Sequence, residues 1–254
     1  MLRVATEGSP LSRHPGGRFR GRVRAWEAVA LGRIYKRLYV HPARFIGDLQ
    51  HTGITNYHRR LARFLDSYEP GAVIVDVGSG ARRLRSTVVT LDIGPAPLVD
   101  IVADAHHLPI GSETVDGIVL QQVLEHVSDP HRIITELFRV LRPGGRLYCE
   151  VPFLYPVHDA CDFRRWTVAG LESLCARFTR LDAGVCMGPL SALSAIIRRV
   201  TTAPLRSPYA EAAVDLALGW VLAPLKYLDE AAVRWPGASL VAGAVYVEAQ
   251  RPVS

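Results

Sequence analysis

Residues 72–77 (AVIVDV) are a short, β-branched apolar run that stops at Gly78-Ser79-Gly80. A run this short and this apolar reads as a strand buried on both faces, as strands are in a parallel sheet. The pattern recurs downstream. Residues 86–92 (STVVTLD), 99–103, 115–120 (VDGIVL) and 146–151 (RLYCEV) are further strand candidates. A helix is expected over 130–141, with Pro143-Gly144-Gly145 as a sharp stop after it. Strands alternating with helices imply an α/β chain with a parallel sheet and right-handed crossovers.

The flanks read differently. Residues 1–24 are an arginine- and glycine-rich stretch, expected to be a flexible basic tail with no signal-peptide core. From Trp26, helical spacing puts Leu31, Ile34, Tyr35 and Leu38 on one face and Arg33, Lys36 and Arg37 on the other. A second helix is expected over 56–68, ended by Pro70-Gly71, so that 25–69 forms an N-terminal helical cap. Residues 70–254 then form the main domain. Beyond Pro152 come a polar loop, a helix over 167–177 and a strand over 181–186. Residues 188–235 read as apolar helices broken by Pro189, Pro204, Pro208, Pro224 and Pro236, a helical insert before a last strand over 239–249.

With 254 residues, 49% of them hydrophobic, the chain can bury a sizeable core. No uncharged run reaches the roughly 18 apolar residues of a bilayer span. Cys149, Cys161, Cys175 and Cys186 show neither CxxC nor metal-like spacing, so reduced thiols and a cytoplasmic setting are expected. The net charge of +6 comes from arginine, all basic residues but Lys36 and Lys226.

The glycine loop excludes two ligand classes. A P-loop requires GxxxxGK[ST], and no lysine lies near. The dinucleotide fingerprint GxGxxG requires a third glycine where Arg83 stands. Asp76 discriminates further, because a carboxylate beside the loop repels a pyrophosphate and suits an ammonium. Asp92, at the end of the next strand, is placed to accept hydrogen bonds from ribose hydroxyls. An ammonium and a ribose without phosphate describe S-adenosylmethionine (SAM).

With these residues in hand, the chain resembles the class I SAM-dependent methyltransferases of the small-molecule, type 11 group. The resemblance rests on VDVGSG at 75–80, LDI at 91–93, ADAHHLPI at 103–110, VDGIVLQQVLEHV at 115–127 and ELFRVLRPGGRLYCEVP at 136–152. It implies a Rossmann-like sheet, mostly parallel with an antiparallel final strand and helices on both faces. It also implies that Gly78, Ser79 and Gly80 line the methionine end of SAM near Asp76. Asp92, with Ile93 beside it, takes the ribose; Asp104 and the Ala105 amide take the adenine; Gln121 sits near the sulfonium. Two departures stand out: Arg82 replaces the loop's usual last glycine, and the segment from Gly80 to Asp92 is too short for a full helix.

Glu125-His126 lacks the second His at i+4 that a metal motif would bring, so no metal is expected and His126 reads as a packed residue. His106-His107 is assigned to the adenine-side loop. The polar loop 156–166 follows the fifth strand and should open onto the ligand crevice. There His158 is the candidate general base, with Asp159 or Asp162 orienting its ring; the simpler alternative pairs Asp162 with Arg164. Residues 152–174 resemble methyltransferases linked to surface-glycan and lipid-linked sugar pathways. The expected reaction is methyl transfer from SAM to a hydroxyl of a small or lipid-linked acceptor, such as a sugar. The alternatives are C-methylation of a quinone- or polyketide-like ring, and a catalytically silent SAM-binding partner subunit. The apolar insert, Leu193 and Ile196 among it, reads first as a core-forming lid; the alternative is an apolar tunnel or a membrane-facing surface. The basic face at 33–37 suits an anionic membrane, peripheral on its inner face, as well as it suits RNA on charge alone. Nucleic-acid base chemistry is disfavoured, since Leu120-Gln121-Gln122-Val123 stands where an amino-methyltransferase carries Asn/Asp-Pro-Pro-aromatic.

Overall fold

The computed structural model describes residues 55–80 and 82–253. The basic tail and the amphipathic segment beginning at Trp26 lie outside the described residues. The elements run α1 (Thr55–Asp66), β1 (Ile74–Val77), β2 (Val88–Asp92), β3 (Ile101–Val102), β4 (Val115–Gln121), α2 (Pro130–Val140), β5 (Leu141–Pro152), α3 (Val168–Leu174), β6 (Thr179–Met187), α4 (Pro189–Thr202), α5 (Pro208–Ala232) and β7 (Ala244–Gln250). Short 3₁₀ turns occupy Leu124–His126 and Ala238–Leu240.

One seven-stranded sheet has the order β3-β2-β1-β4-β5-β7-β6. Strands β1 to β5 pair in parallel, and β7 is antiparallel to both β5 and β6. The strand order reverses direction between β1 and β4, which is where an open α/β sheet leaves its ligand crevice.

The period of two along each strand divides the core. Val75, Val77, Ile118, Leu120, Leu147, Cys149 and Val151 meet Ile133, Leu137 and Val140 of α2 and Leu171 of α3. Their neighbours Ile74, Val119 and Tyr148 point the other way and meet Leu61, Phe64 and Leu65 of α1. Both faces are therefore covered, which explains why the strands read as continuous apolar runs. Buried groups of this kind contribute about 1.5–3 kcal/mol per large side chain.

Beyond shifts of a few residues at element ends, three features differ from the sequence reading. Strand β5 starts at Leu141, immediately after α2, and carries Pro143-Gly144-Gly145 within it. A register shift between Val115 and Gly117 absorbs the irregularity. Gly144 has φ +79°, a backbone that L side chains disfavour. Second, Pro224 does not break a helix: α5 runs through it to Ala232. Proline removes one amide donor, but α5 is held against α4 by the Arg198–Asp215 pair at 2.5 Å. Pro189 and Pro208 begin helices, where their missing N–H costs nothing. Third, Ser239 and Leu240 lie in a 3₁₀ turn, and β7 begins only at Ala244. The helical pair α4–α5 does stand between β6 and β7, and no helix joins β1 to β2 among the described residues.

Candidate active site

A cavity of about 470 Å³ opens at the carboxyl ends of β1, β2 and β4. Of the residues expected to hold a nucleoside ligand, Gly78, Asp92, Ile93, Asp104 and Ala105 line it. Asp76, Ser79, Gly80 and Gln121 do not, although Asp76 lies in β1 just before the loop and Ser79 and Gly80 belong to it.

Backbone geometry builds that loop. Gly78 and Gly80 have φ of +75° and +59°, values a glycine adopts without strain. At Gly78 a Cβ would lie 2.3 Å from Val123 Cγ2, so only glycine lets this loop and the β4 exit approach so closely. The Gly78 and Ser79 amides donate to the Leu91 carbonyl at 2.7 and 3.1 Å. Asp92 draws the loop in from the other side, accepting from the Gly80 amide at 2.8 Å and the Gly94 amide at 3.0 Å. A carboxylate has about four lone-pair sites, so Asp92 retains acceptor capacity toward the cavity.

Asp76 is fully buried, and neither of its carboxylate oxygens has a hydrogen-bond partner. Burial raises its pKa to about 6, opposed by the charge of Arg82 and assisted by that of Asp92. The Ser79 hydroxyl is likewise buried without a partner. Arg82, where the loop's last glycine is usual, donates to Gln121 Oε1 at 2.7 Å. Gln121 in turn donates to the buried Glu150 at 3.1 Å. The pocket-lining glutamine is the next one, Gln122, which has φ +54° and also donates to Glu150, at 3.1 Å. A left-handed non-glycine backbone costs about 1–3 kcal/mol and persists only when its surroundings impose it.

On the side of the cavity expected to take adenine, Asp104 accepts from the His106 amide at 2.9 Å and lies 2.6 Å from His106 Nδ1. Those bonds, the amide's first, hold its pKa below the usual carboxylate value.

The far wall of the cavity is formed by the turn after β4 and the loop after β5. His126, Val127, Ser128 and Phe163 line it. The Phe163 amide donates to the Glu125 carbonyl at 2.7 Å, and Arg164 donates to the Val127 and Ser128 carbonyls at 2.6 and 2.9 Å. The sequence alternative that paired Asp162 with Arg164 is thus replaced: Asp162 pairs with Arg165. His158 Nδ1 lies 3.0 Å from Asp162, whose side chain is fully buried, and the His158 amide also donates to it. Asp159 is instead an exposed turn residue that accepts from the Cys161 amide at 3.0 Å. Of the two candidate carboxylates, Asp162 therefore orients His158. The His158 Nε2 faces His126 Nε2 at 3.2 Å, with the rings almost perpendicular. Beside them Glu125 is fully buried, and both its oxygens lack hydrogen-bond partners. Burial raises its pKa to about 8.

His126 and Glu125 carried only a weak signal in the sequence, as adjacent polar residues inside an apolar stretch. Their partner His158 comes from another loop, and local spacing does not encode that meeting.

The strand order, the glycine loop and the acid at the end of β2 give a Rossmann-like fold, the fold of class I SAM-dependent methyltransferases. Residues 75–149 match the family model described as a methyltransferase domain. Among curated proteins, 77 residues are 36% identical to the ubiquinone/menaquinone biosynthesis C-methyltransferase UbiE of Bartonella tribocorum, 28% of this chain and 30% of that one. Another 102-residue match, 33% identical, is to the ubiquinone biosynthesis O-methyltransferase of Pseudomonas putida, covering 31% of this chain and 43% of that one. The chain thus matches less than half the length of these relatives. Among solved structures, a Galdieria sulphuraria protein assigned as a sarcosine dimethylglycine methyltransferase superposes with a TM-score of 0.53. It is 14% identical and the match covers 87% of this chain and 98% of that one. Phosphoethanolamine N-methyltransferase 2 of Haemonchus contortus, in complex with SAM, superposes with a TM-score of 0.52 at 12% identity, covering 91% and 59%. At these identities the structures establish a shared fold.

Proposed function

We propose that this protein transfers the methyl group of SAM to a hydroxyl oxygen of a small or lipid-linked acceptor, with a sugar as the preferred candidate. SAM is the cofactor of this domain class. The residues fit it: a buried unpaired carboxylate at Asp76 for an ammonium, the open side of Asp92 for ribose hydroxyls, and the wall of Asp104 and Ala105 for a base. SAM supplies an electrophilic methyl on a cationic sulfur.

The acceptor's task is to present an oxygen and lose its proton. The observation that carries an oxygen acceptor is the His126–His158 pair beside the cavity, with Asp162 fixing one ring and Glu125 buried alongside. An alcohol is a poor nucleophile at neutral pH, and groups that assist proton loss contribute typically 10²–10⁴-fold. Alignment of acceptor and donor contributes as well, and the wall tied together by Arg164 and Phe163 supports it.

C-methylation of a quinone-like ring is the second reading, favoured by the match to the Bartonella C-methyltransferase. That match covers 28% of the chain. A silent SAM-binding subunit would have no use for the imidazole pair. The acceptor's lipid character, and peripheral attachment to an anionic membrane, are supported by exposed apolar residues on α4 and α5 such as Val200 and Val221.

His158→Ala, assayed with labelled SAM against candidate acceptors, is expected to lose at least about 10²-fold in turnover while keeping SAM affinity near wild type. Turnover retained in the variant, or SAM binding lost in parallel, removes the imidazole pair from the reaction.

A further inference from the structure

Glu125, His126 and His158 bring one ligand-type atom each to within 4.8 Å of one another. The two Nε2 atoms are 3.2 Å apart, and Glu125 Oε1 is 3.8 Å from His126 Nε2. Neighbouring hydrogen bonds fix what these atoms offer. His126 Nδ1 is 3.2 Å from the Cys161 carbonyl, which can only accept, so that nitrogen carries the proton. His158 Nδ1 is 3.0 Å from Asp162, a carboxylate kept ionised by Arg165, so it carries a proton too. In both neutral rings the lone pair is therefore on Nε2, and two lone pairs point at each other. A fully buried carboxylate with no hydrogen-bond partner stands next to them. Arg165 does not hydrogen-bond to it, since its guanidinium is engaged by Asp162 and by the Tyr155, Pro156 and Arg164 carbonyls.

We propose that Glu125, His126 and His158 bind a divalent first-row transition-metal ion of the Zn²⁺ type. A metal cation satisfies two opposed imidazole lone pairs and an unpaired carboxylate together. Ligands about 2.0–2.1 Å from a tetrahedral ion lie about 3.3 Å apart. The two imidazole nitrogens, 3.2 Å apart, already match, and Glu125 Oε1, at 3.8 Å from His126 Nε2, must move inward by a few tenths of an ångström. Imidazole donors select Zn²⁺, Co²⁺ or Fe²⁺ over Mg²⁺ and Ca²⁺. The backbone carbonyl of Cys161 and the carboxylate of Asp162 hold the outer nitrogens, the usual support of metal-binding histidines. Three protein ligands leave a position open on the cavity side, where His126 is a lining residue. Cation binding stands independently of methyl transfer; only its use in activating an acceptor oxygen rests on that reading.

The test uses the full chain, freed of metal by chelation and titrated with Co²⁺ alone, without SAM or acceptor. Visible ligand-field bands saturating at one ion per chain and bleached by added Zn²⁺ are expected. His126→Ala, His158→Ala and Glu125→Gln should each abolish the bands. Asp162→Asn should weaken Co²⁺ affinity by about 10–100-fold, and Cys161→Ser should leave the bands unchanged. Because His158 is partly exposed, its variant serves where Glu125→Gln disturbs folding, and SAM affinity measured by calorimetry verifies that each variant is folded. No bands in wild type, bands surviving His158→Ala, or bands lost in Cys161→Ser would overturn the proposal. The first of these results leaves a proton shared between the two rings as the occupant.

Discussion

At the scale of the residue, Asp76 carries the sharpest expectation. Its folded pKa of about 6 lies above the ordinary 3.8, because burial penalises the charge. The native state therefore holds the proton more tightly than the unfolded chain. The resulting stability is fully present below about pH 4 and is lost as pH rises through 6, a loss on the order of 3 kcal/mol. Asp76→Asn removes that dependence, so urea unfolding at pH 8 should show the variant more stable than wild type, with the gap closing at pH 4. A gap of equal size at both pH values would refute the assignment. The ligand side has the opposite sign. An ammonium pairs only with the carboxylate, so SAM affinity should fall about tenfold per unit below pH 6 in wild type, with no such slope in Asp76→Asn. Asp92 acts by position instead. Asp92→Ala removes the acceptors proposed for the ribose and, with them, the anchor of the Gly80 amide. At roughly 1.5–3 kcal/mol per charge-assisted bond, SAM binding should weaken by one to several orders of magnitude, read by calorimetric titration. These acids were legible in the sequence because they sit at strand ends in a fixed order. Gln122 and Asp162 were less so. Which of two adjacent glutamines faces the cavity depends on a left-handed backbone at Gln122, and whether Arg164 or Arg165 meets Asp162 depends on the path of one loop.

At the scale of the element, the central strands β1, β4 and β5 were readable since each is largely buried on both faces and has a glycine within or beside it. The ends were less readable, and α4 shows the reason. Its N-cap is Gly188, which has no side chain to satisfy the first amides. Asp229, far along α5, does so instead, accepting from the Leu190 amide at 2.9 Å and the Ser191 amide at 3.4 Å. Gly188 is required for that approach, since a Cβ there would lie 2.3 Å from Asp229 Oδ1. A cap supplied from a distance leaves no local signature of the S/T/D/N kind. It also explains how α5 carries Pro224 without breaking, because its C-terminal half is pinned to the start of α4. Asp229→Ala should cost about 1–3 kcal/mol, seen as a lower urea midpoint. Asp229→Asn, which keeps an acceptor oxygen, should recover most of it. Equal losses in the two variants would mean that packing, not capping, holds the pair.

At the scale of the whole molecule, the order β3-β2-β1-β4-β5-β7-β6 follows from elements the sequence shows, but the surface of the insert does not follow from its apolar pattern. Periodicity alone reads Leu193, Ile196 and the residues of α5 as core. The structure leaves Leu193, Val200, Trp220, Val221 and Leu228 exposed, Val221 at 73%. None of the described helices is long and apolar enough to cross a membrane. Exposed tryptophan and aliphatic side chains along a helical pair do suit the boundary between lipid headgroups and acyl chains. The basic segment at 33–37, outside the described residues, would add roughly 1 kcal/mol per side chain near an anionic surface, fading with salt. Two terms are thus separable. Sedimentation with liposomes containing anionic lipid should bring the protein down at low salt and release it at high salt. Val221→Asp with Leu228→Asp should reduce binding at every salt concentration, because both side chains are already exposed and their replacement leaves the core intact. Neutralising Arg33, Lys36 and Arg37 should instead flatten the salt dependence. A protein that stays in the supernatant at low salt assigns the apolar face of α4 and α5 to contacts within the protein or to a soluble acceptor, and the lipid-linked substrate class falls with it.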